Sequence, residues 1–194
     1  MTTRARFRKI YLKSASACAG FTLIELVVTM TILGVLAAVA VPSFSDAFLS
    51  SRLASFSNSF SASAQLARSE AIKRNATVKM CRSSNGSSCA TTGGWQQGWI
   101  IFSDNGAGGN ADNGTVDSDE TRVLFQPTLS TDYSFTGLTT SSYSIVFQPS
   151  GLVASTVSLT LCRLAPSAGS QERIIGVSTT GRVSVSTSRA GVCS

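Results

Sequence analysis

The stretch Gly20-Phe21-Thr22-Leu23-Ile24-Glu25-Leu26 stands at the seam between a basic leader and a long apolar run. The leader carries Arg4, Arg6, Arg8, Lys9 and Lys13 and no acid. The run continues for 24 residues, from Phe21 to Phe44, with a single charge, Glu25, near its start. As a helix it would extend about 36 Å, enough to cross a hydrocarbon core of about 30 Å. A carboxylate inside such a span is costly and calls for a partner. Gly34 and Pro42 are poor interior helix residues, and Pro42 is expected to kink the helix or free the carbonyl of Ala38. A competing reading is an ordinary secretory signal cut after Ala38-Val39-Ala40, which would release a soluble periplasmic binding protein. The length of the run and the position of Glu25 inside it speak against that reading.

Outward from this stretch the pattern changes without a break. Phe44, Phe48, Leu49, Leu53, Phe56, Phe60, Ala64, Ala67, Ala71 and Ile72 recur at three- and four-residue spacing, with Ser, Asn, Gln and Arg between them. That periodicity predicts an amphipathic helix to about Asn75, its apolar face laid on a sheet. After Asn75, β-branched and alternating runs predict strands near residues 77–81, 99–103, 122–126, 142–147, 156–161, 173–178 and 182–186. A helix followed by strands reads as α+β, a long N-terminal helix packed on an antiparallel sheet. The polar stretch from Asp104 to Glu120 is expected to be a long, mobile loop.

Composition narrows the chemistry. The chain has 194 residues and a formal charge of +6, but five of its sixteen basic residues lie in the leader. Beyond Gly20 the net charge is only +1, so no general nucleic-acid footprint follows from it. Histidine is absent, which removes the commonest general base and a Ser-His-Asp triad. No other catalytic constellation stands out, and a non-enzyme without cofactor is expected. Four of the five cysteines, Cys81, Cys89, Cys162 and Cys193, lie beyond the leader. In an exported chain they suggest two disulfides, with three connectivities open; closeness in sequence favours Cys81 with Cys89, leaving Cys162 with Cys193. Asp104, Asp112, Asp117 and Asp119 offer oxygen ligands that would suit calcium, although the spacing is not that of an EF-hand and Asx-Gly clusters are common turn chemistry. Trp95 and Trp99 read as core residues, with Gly98 permitting a tight turn between them.

Gly followed by Phe-Thr-Leu-Ile-Glu resembles the processing site of type IV pilins and type II secretion pseudopilins. The resemblance implies three parts: a leader, residues 1–20, removed by a prepilin peptidase; a transmembrane half-helix, 21–44; and a head, 45–194. It implies cleavage between Gly20 and Phe21, methylation of the new Phe21 amine, and assembly roles for Phe21 and Glu25. Pilin-like helices are similar in carrying a Gly and a Pro near the places of Gly34 and Pro42, where the helix loosens on packing. Further along, the short-range cysteine pair, Trp95-Gln96-Gln97-Gly98-Trp99-Ile100-Ile101-Phe102-Ser103-Asp104, Phe147-Gln148-Pro149-Ser150-Gly151 and Gly181-Arg182-Val183 resemble the GspH/FimT group of minor pilins. That group implies a single-pass inner-membrane protein with a periplasmic head, drawn into a pseudopilus or type IV pilus near its tip. Its partners would be other pilins, the peptidase and an inner-membrane assembly platform. Some FimT proteins are implicated in DNA uptake through a C-terminal G-R-x-R. Arg182 and Arg189 would be the contacts here, beside Arg163 and Arg173, but Ser184 stands where the second arginine belongs, and nucleic acid is not the favoured partner.

Overall fold

The structure is a computed structural model that describes residues 20–104, 112–137, 143–164, 172–188 and 193. The chain divides into two compact units, the first ending at Ser43 and the second beginning at Phe44. One helix, α1 (Leu23–Arg74), contributes to both. It stays helical through both Gly34 and Pro42, whose ring nitrogen has no N–H to give the Ala38 carbonyl. Proline removes one N–H and one intrahelical bond, and a helix with many intact turns on either side continues across that gap. At its other end α1 stops at Asn75, which takes the left-handed conformation with φ 51°. The Ala76 N–H donates to the Ala71 carbonyl at 3.2 Å and the Asn75 N–H to the Ile72 carbonyl at 3.3 Å. Two otherwise orphaned carbonyls are thereby satisfied.

In the first unit none of the residues Leu23–Ala40 is buried. In the second, Leu49, Leu53, Ser57, Phe60, Ala64, Ala67 and Ala71 form the buried stripe of α1. The small residues let the helix backbone approach the strands closely, and the Ser57 hydroxyl satisfies itself on the Leu53 carbonyl at 2.8 Å. Phe44, Phe48 and Ile72, expected on this face, are 73%, 63% and 51% exposed. Phe48 and Ile72 each sit one residue from a buried position, and one residue is about 100° around a helix.

Eight strands follow: β1 (Val78–Arg82), β2 (Trp99–Phe102), β3 (Arg122–Gln126), β4 (Tyr133–Gly137), β5 (Ser144–Phe147), β6 (Val157–Arg163), β7 (Arg173–Val177) and β8 (Val183–Thr187). They form two four-stranded sheets rather than one, in the orders β3-β2-β1-β5 and β4-β6-β7-β8. Every pairing is antiparallel. β4 is the strand that periodicity did not reveal, and it starts the second sheet. Its Phe135 meets Phe60 of α1 edge-on at 5.0 Å, and Phe60 also meets Trp95 at 5.1 Å and Trp99 at 5.5 Å. This aromatic knot joins the helix to both sheets, so the two tryptophans are core. Gly98 has φ 106°, and a Cβ there would lie 2.4 Å from the Gln126 carbonyl oxygen. Only glycine fits that turn without moving backbone.

Candidate functional site

The N-terminal motif is built at the start of α1. Thr22 is the residue before the first helical position, and its Oγ1 accepts a hydrogen bond from the Glu25 N–H at 3.3 Å. The hydroxyl in turn donates to Glu25 Oε2 at 3.4 Å. Thr-x-x-Glu is a capping-box spacing, and the carboxylate stands in the first turn, where the helix dipole favours negative charge. Glu25 therefore has a local task at the helix start besides the assembly role that the resemblance implies. The signal was present in the threonine three residues before it. Phe21 is 71% exposed and the apolar side chains after it are uncovered. The structure thus presents an apolar helical rod whose one acid sits at its first turn.

Within the head, the acidic loop is organised by a lysine. Lys79 Nζ donates to Asp104 Oδ2 at 2.8 Å and also to Asp112 Oδ1. Asp104 Oδ1 accepts from the Asp112 N–H at 2.6 Å. The side chains of Lys79 and Asp104 are 7% and 1% exposed. Burial alone would push the Lys79 ammonium down, but its bonds to Asp104 and Asp112 more than offset this and hold it above the ordinary lysine value. Of the four calcium-ligand candidates, two are therefore gathered around an ammonium. Asp117 instead accepts from Asn113 Nδ2 at 2.9 Å, and among the described residues no group of three or more His, Cys, Asp or Glu could hold a metal. The expected mobility of the loop falls largely on residues 105–111, outside the described residues.

Cys81 is bonded to Cys89, with 5.5 Å between Cα atoms, and Cys162 to Cys193, with 5.6 Å. The first bridge packs with Ile100, Phe102 and Val116 in a small core of its own. Arg82, the last residue of β1, spreads its guanidinium over the Tyr143 ring at 3.7 Å. It donates to the carbonyls of Ala90 at 3.0 Å and Thr91 at 2.6 Å, and to that of Gly93. A buried arginine therefore clamps the segment that leads from the disulfide to Trp95.

The C-terminal arginines do not form one patch. Register pairs Leu161 with Arg173 and Val177 with Val183, so Arg163 and Arg173 lie at one end of the second sheet and Arg182 at the other. The length of β7 separates the two ends by about 15 Å. Arg182 is exposed in a groove with Arg68 and Ile72, and Arg189 lies outside the described residues. In that groove the turns of Phe147-Gln148-Pro149-Ser150-Gly151 and Gly181-Arg182-Val183 meet. Arg68 Nε donates to the Gly151 carbonyl at 3.1 Å, and a Cβ on Gly181 (φ 71°) would lie 2.3 Å from that same oxygen. The two motifs are joined through packing.

An apolar helix start, long enough to cross a membrane, and a head of two antiparallel sheets fit a pilin-like, membrane-anchored protein. The chain belongs to the family described as type II transport protein GspH, whose model matches residues 57–181. Residues 15–41 match the prokaryotic N-terminal methylation motif. The chain is thus a minor pilin or pseudopilin by family. Among solved structures it is similar to the type IV minor pilin FimU of Pseudomonas aeruginosa, at 16% identity and a TM-score of 0.49, covering 69% of this chain and 87% of that one. It is also similar to the minor pseudopilin EpsH from the type 2 secretion system of Vibrio cholerae, at 13% identity and a TM-score of 0.49, covering 70% and 97%. No curated protein matches the sequence significantly.

Proposed function

We propose that the chain is an assembly subunit, without catalytic activity, that enters a type II secretion pseudopilus or a type IV pilus near its tip. The observation that carries this reading is the uncovered apolar start of α1, opened by Thr22 and Glu25 directly after the Gly20-Phe21 processing site. A peptidase cuts after Gly20, and Phe21 becomes the methylated N-terminus. The apolar span then holds the protein in the inner membrane, with the head on the periplasmic side. An assembly platform draws it into the filament, where apolar helices cover one another. Glu25 offsets its desolvation there by pairing with the Phe21 amine of a neighbour. A head-to-tail contact of this kind propagates as a helical filament rather than closing.

The test is N-terminal sequencing and mass analysis of protein recovered from membranes. The expected mature chain begins at Phe21 with a methylated amine. A terminus at Val41 would sever α1 inside its apolar span and overturn the reading.

A further inference from the structure

The second sheet ends on a strand whose outer side is open. β8 stands at the edge of the order β4-β6-β7-β8, and among the described residues no strand lies beyond it. The Ser178 N–H donates to the Arg182 carbonyl at 3.0 Å, and the Ser188 N–H to that of Glu172 at 2.9 Å. With the register between them, these bonds fix the alternation. Arg182, Ser184, Ser186 and Ser188 turn their backbone groups to β7, while Val183, Val185 and Thr187 turn theirs outward. Edge strands are ordinarily guarded by bulges, charges, prolines or a covering segment. Pairing of β7 with β8 is regular, and Val183–Thr187 contains neither a charge nor a proline. The other edges are guarded. β3 carries Arg122 and meets β2 with a shift of register. The Phe135 N–H of β4 is taken by Gln96 Oε1 at 3.1 Å, and β5 is bridged at Phe147 by Val153.

Beside this edge the core face runs out uncovered. Val183 and Val185 lie opposite Val177 and Ile175, which are buried, yet Val185 is 42% exposed. Between the start of β8 and α1 lies a groove of about 350 Å³, with Arg68 and Ile72 on one wall and Arg182 and Val183 on the other. No acid lines it, and neither arginine makes an ion pair among the described residues. We propose that β8 accepts an extended, acidic segment of a partner chain as the next strand of the sheet. The segment runs antiparallel to β8, so its C-terminal end lies beside Arg182 and its carboxylates meet Arg182 and Arg68. Its alternate apolar side chains cover Val185 and enter the groove. Strand addition of this kind draws affinity from main-chain bonds and specificity from alternate side chains. The open edge offers N–H and C=O groups in turn, which another peptide backbone matches. A nucleic-acid phosphate has no donor for the carbonyls, so the edge selects a protein partner. The proposal goes beyond the assembly reading above and stands on the head alone.

The test uses the full mature chain in detergent and the peptide Thr-Val-Thr-Val-Thr-Asp-Asp, dye-labelled at its N-terminus and free at its C-terminus. Binding is followed by fluorescence anisotropy. Wild type is expected to bind this peptide and to bind a version ending in Lys-Lys roughly tenfold more weakly. Arg182→Gln should weaken binding of the acidic peptide by about two- to fivefold. Val185→Pro removes an N–H that β7 does not use, so the fold should persist while binding is lost. Peptides N-methylated at alternate positions put the same question to the unchanged protein. Methylation of the set that faces β8 should abolish binding, and methylation of the other set should leave it. Equal binding of the two methylated peptides overturns strand addition, as does wild-type binding by folded Val185→Pro. Absence of peptide binding overturns the proposal outright. In that case, binding of a single-stranded oligodeoxynucleotide that Arg182→Gln abolishes would assign the arginines to nucleic acid. Self-association that Val185→Pro abolishes would instead assign the edge to a second copy of this chain.

Discussion

At the scale of single residues, Lys79 carries the clearest consequence. Its ammonium is an internal cation that satisfies Asp104, whose side chain is 1% exposed, together with Asp112. Replacing it by Met leaves a buried carboxylate without its partner, which costs about 3 to 5 kcal/mol. Urea unfolding followed by the fluorescence of Trp95 and Trp99 should show this loss. The pH dependence has a fixed sign. The folded value lies above the ordinary 10.5, so the contribution is complete below that value and is lost as pH rises through the folded one. Wild type should therefore weaken on the alkaline side above about 10.5, and Lys79→Met should lack that part of the slope. An alkaline profile identical in the two proteins would refute the assignment. The sequence offered Asp104 and Asp112 as ligands for a divalent ion, and their neighbourhood was indeed legible. What remained hidden was that the cation is a lysine 25 residues away, on a strand whose pairing brings it under the loop.

At the scale of elements, the two disulfides close loops of different size. Cys162–Cys193 spans 31 residues and ties β6, in the middle of the second sheet, to the end of the chain. The chain-entropy model values such a loop at roughly 3 to 4 kcal/mol, against about 2.5 kcal/mol for one of eight residues. Cys162→Ala with Cys193→Ala is expected to lower unfolding stability by about that larger amount, with far-ultraviolet circular dichroism unchanged at low denaturant. A loss below about 1 kcal/mol would mean that the tail is held by other contacts. Most strands could be read from their β-branched alternation, and the helix from its three- and four-residue spacing. β4 escaped because Ser134, Thr136 and Gly137 dilute its two aromatic residues into what resembles turn chemistry. The division into two sheets escaped for a different reason. β1 pairs with β5 and β4 with β6 across intervening strands, and such long-range partner choice is not written in any local pattern.

At the scale of the whole molecule, Glu25 decides between an anchor and a filament subunit, and the capping contact with Thr22 sharpens the test. Glu25→Ala removes a costly carboxylate from the apolar span, so insertion should persist or improve. It also removes the capping-box acid, a loss of roughly 0.3 to 1 kcal/mol at the helix start. Either effect could reduce assembly, and a single substitution does not separate them. Glu25→Gln does. Glutamine keeps the length and the hydrogen-bond acceptor that reaches back to Thr22, and it serves in a capping box, but it carries no charge. If Glu25 matters through its cap, Gln restores what Ala loses. If it matters by neutralising the Phe21 amine of a neighbour, Gln leaves that amine buried and unpaired and fails as Ala does. The expected outcome is that both variants fractionate with membranes like wild type while both lose crosslinking to partner pilins. Rescue by Gln would assign the residue to the helix start. Full crosslinking in both would leave it no role in assembly.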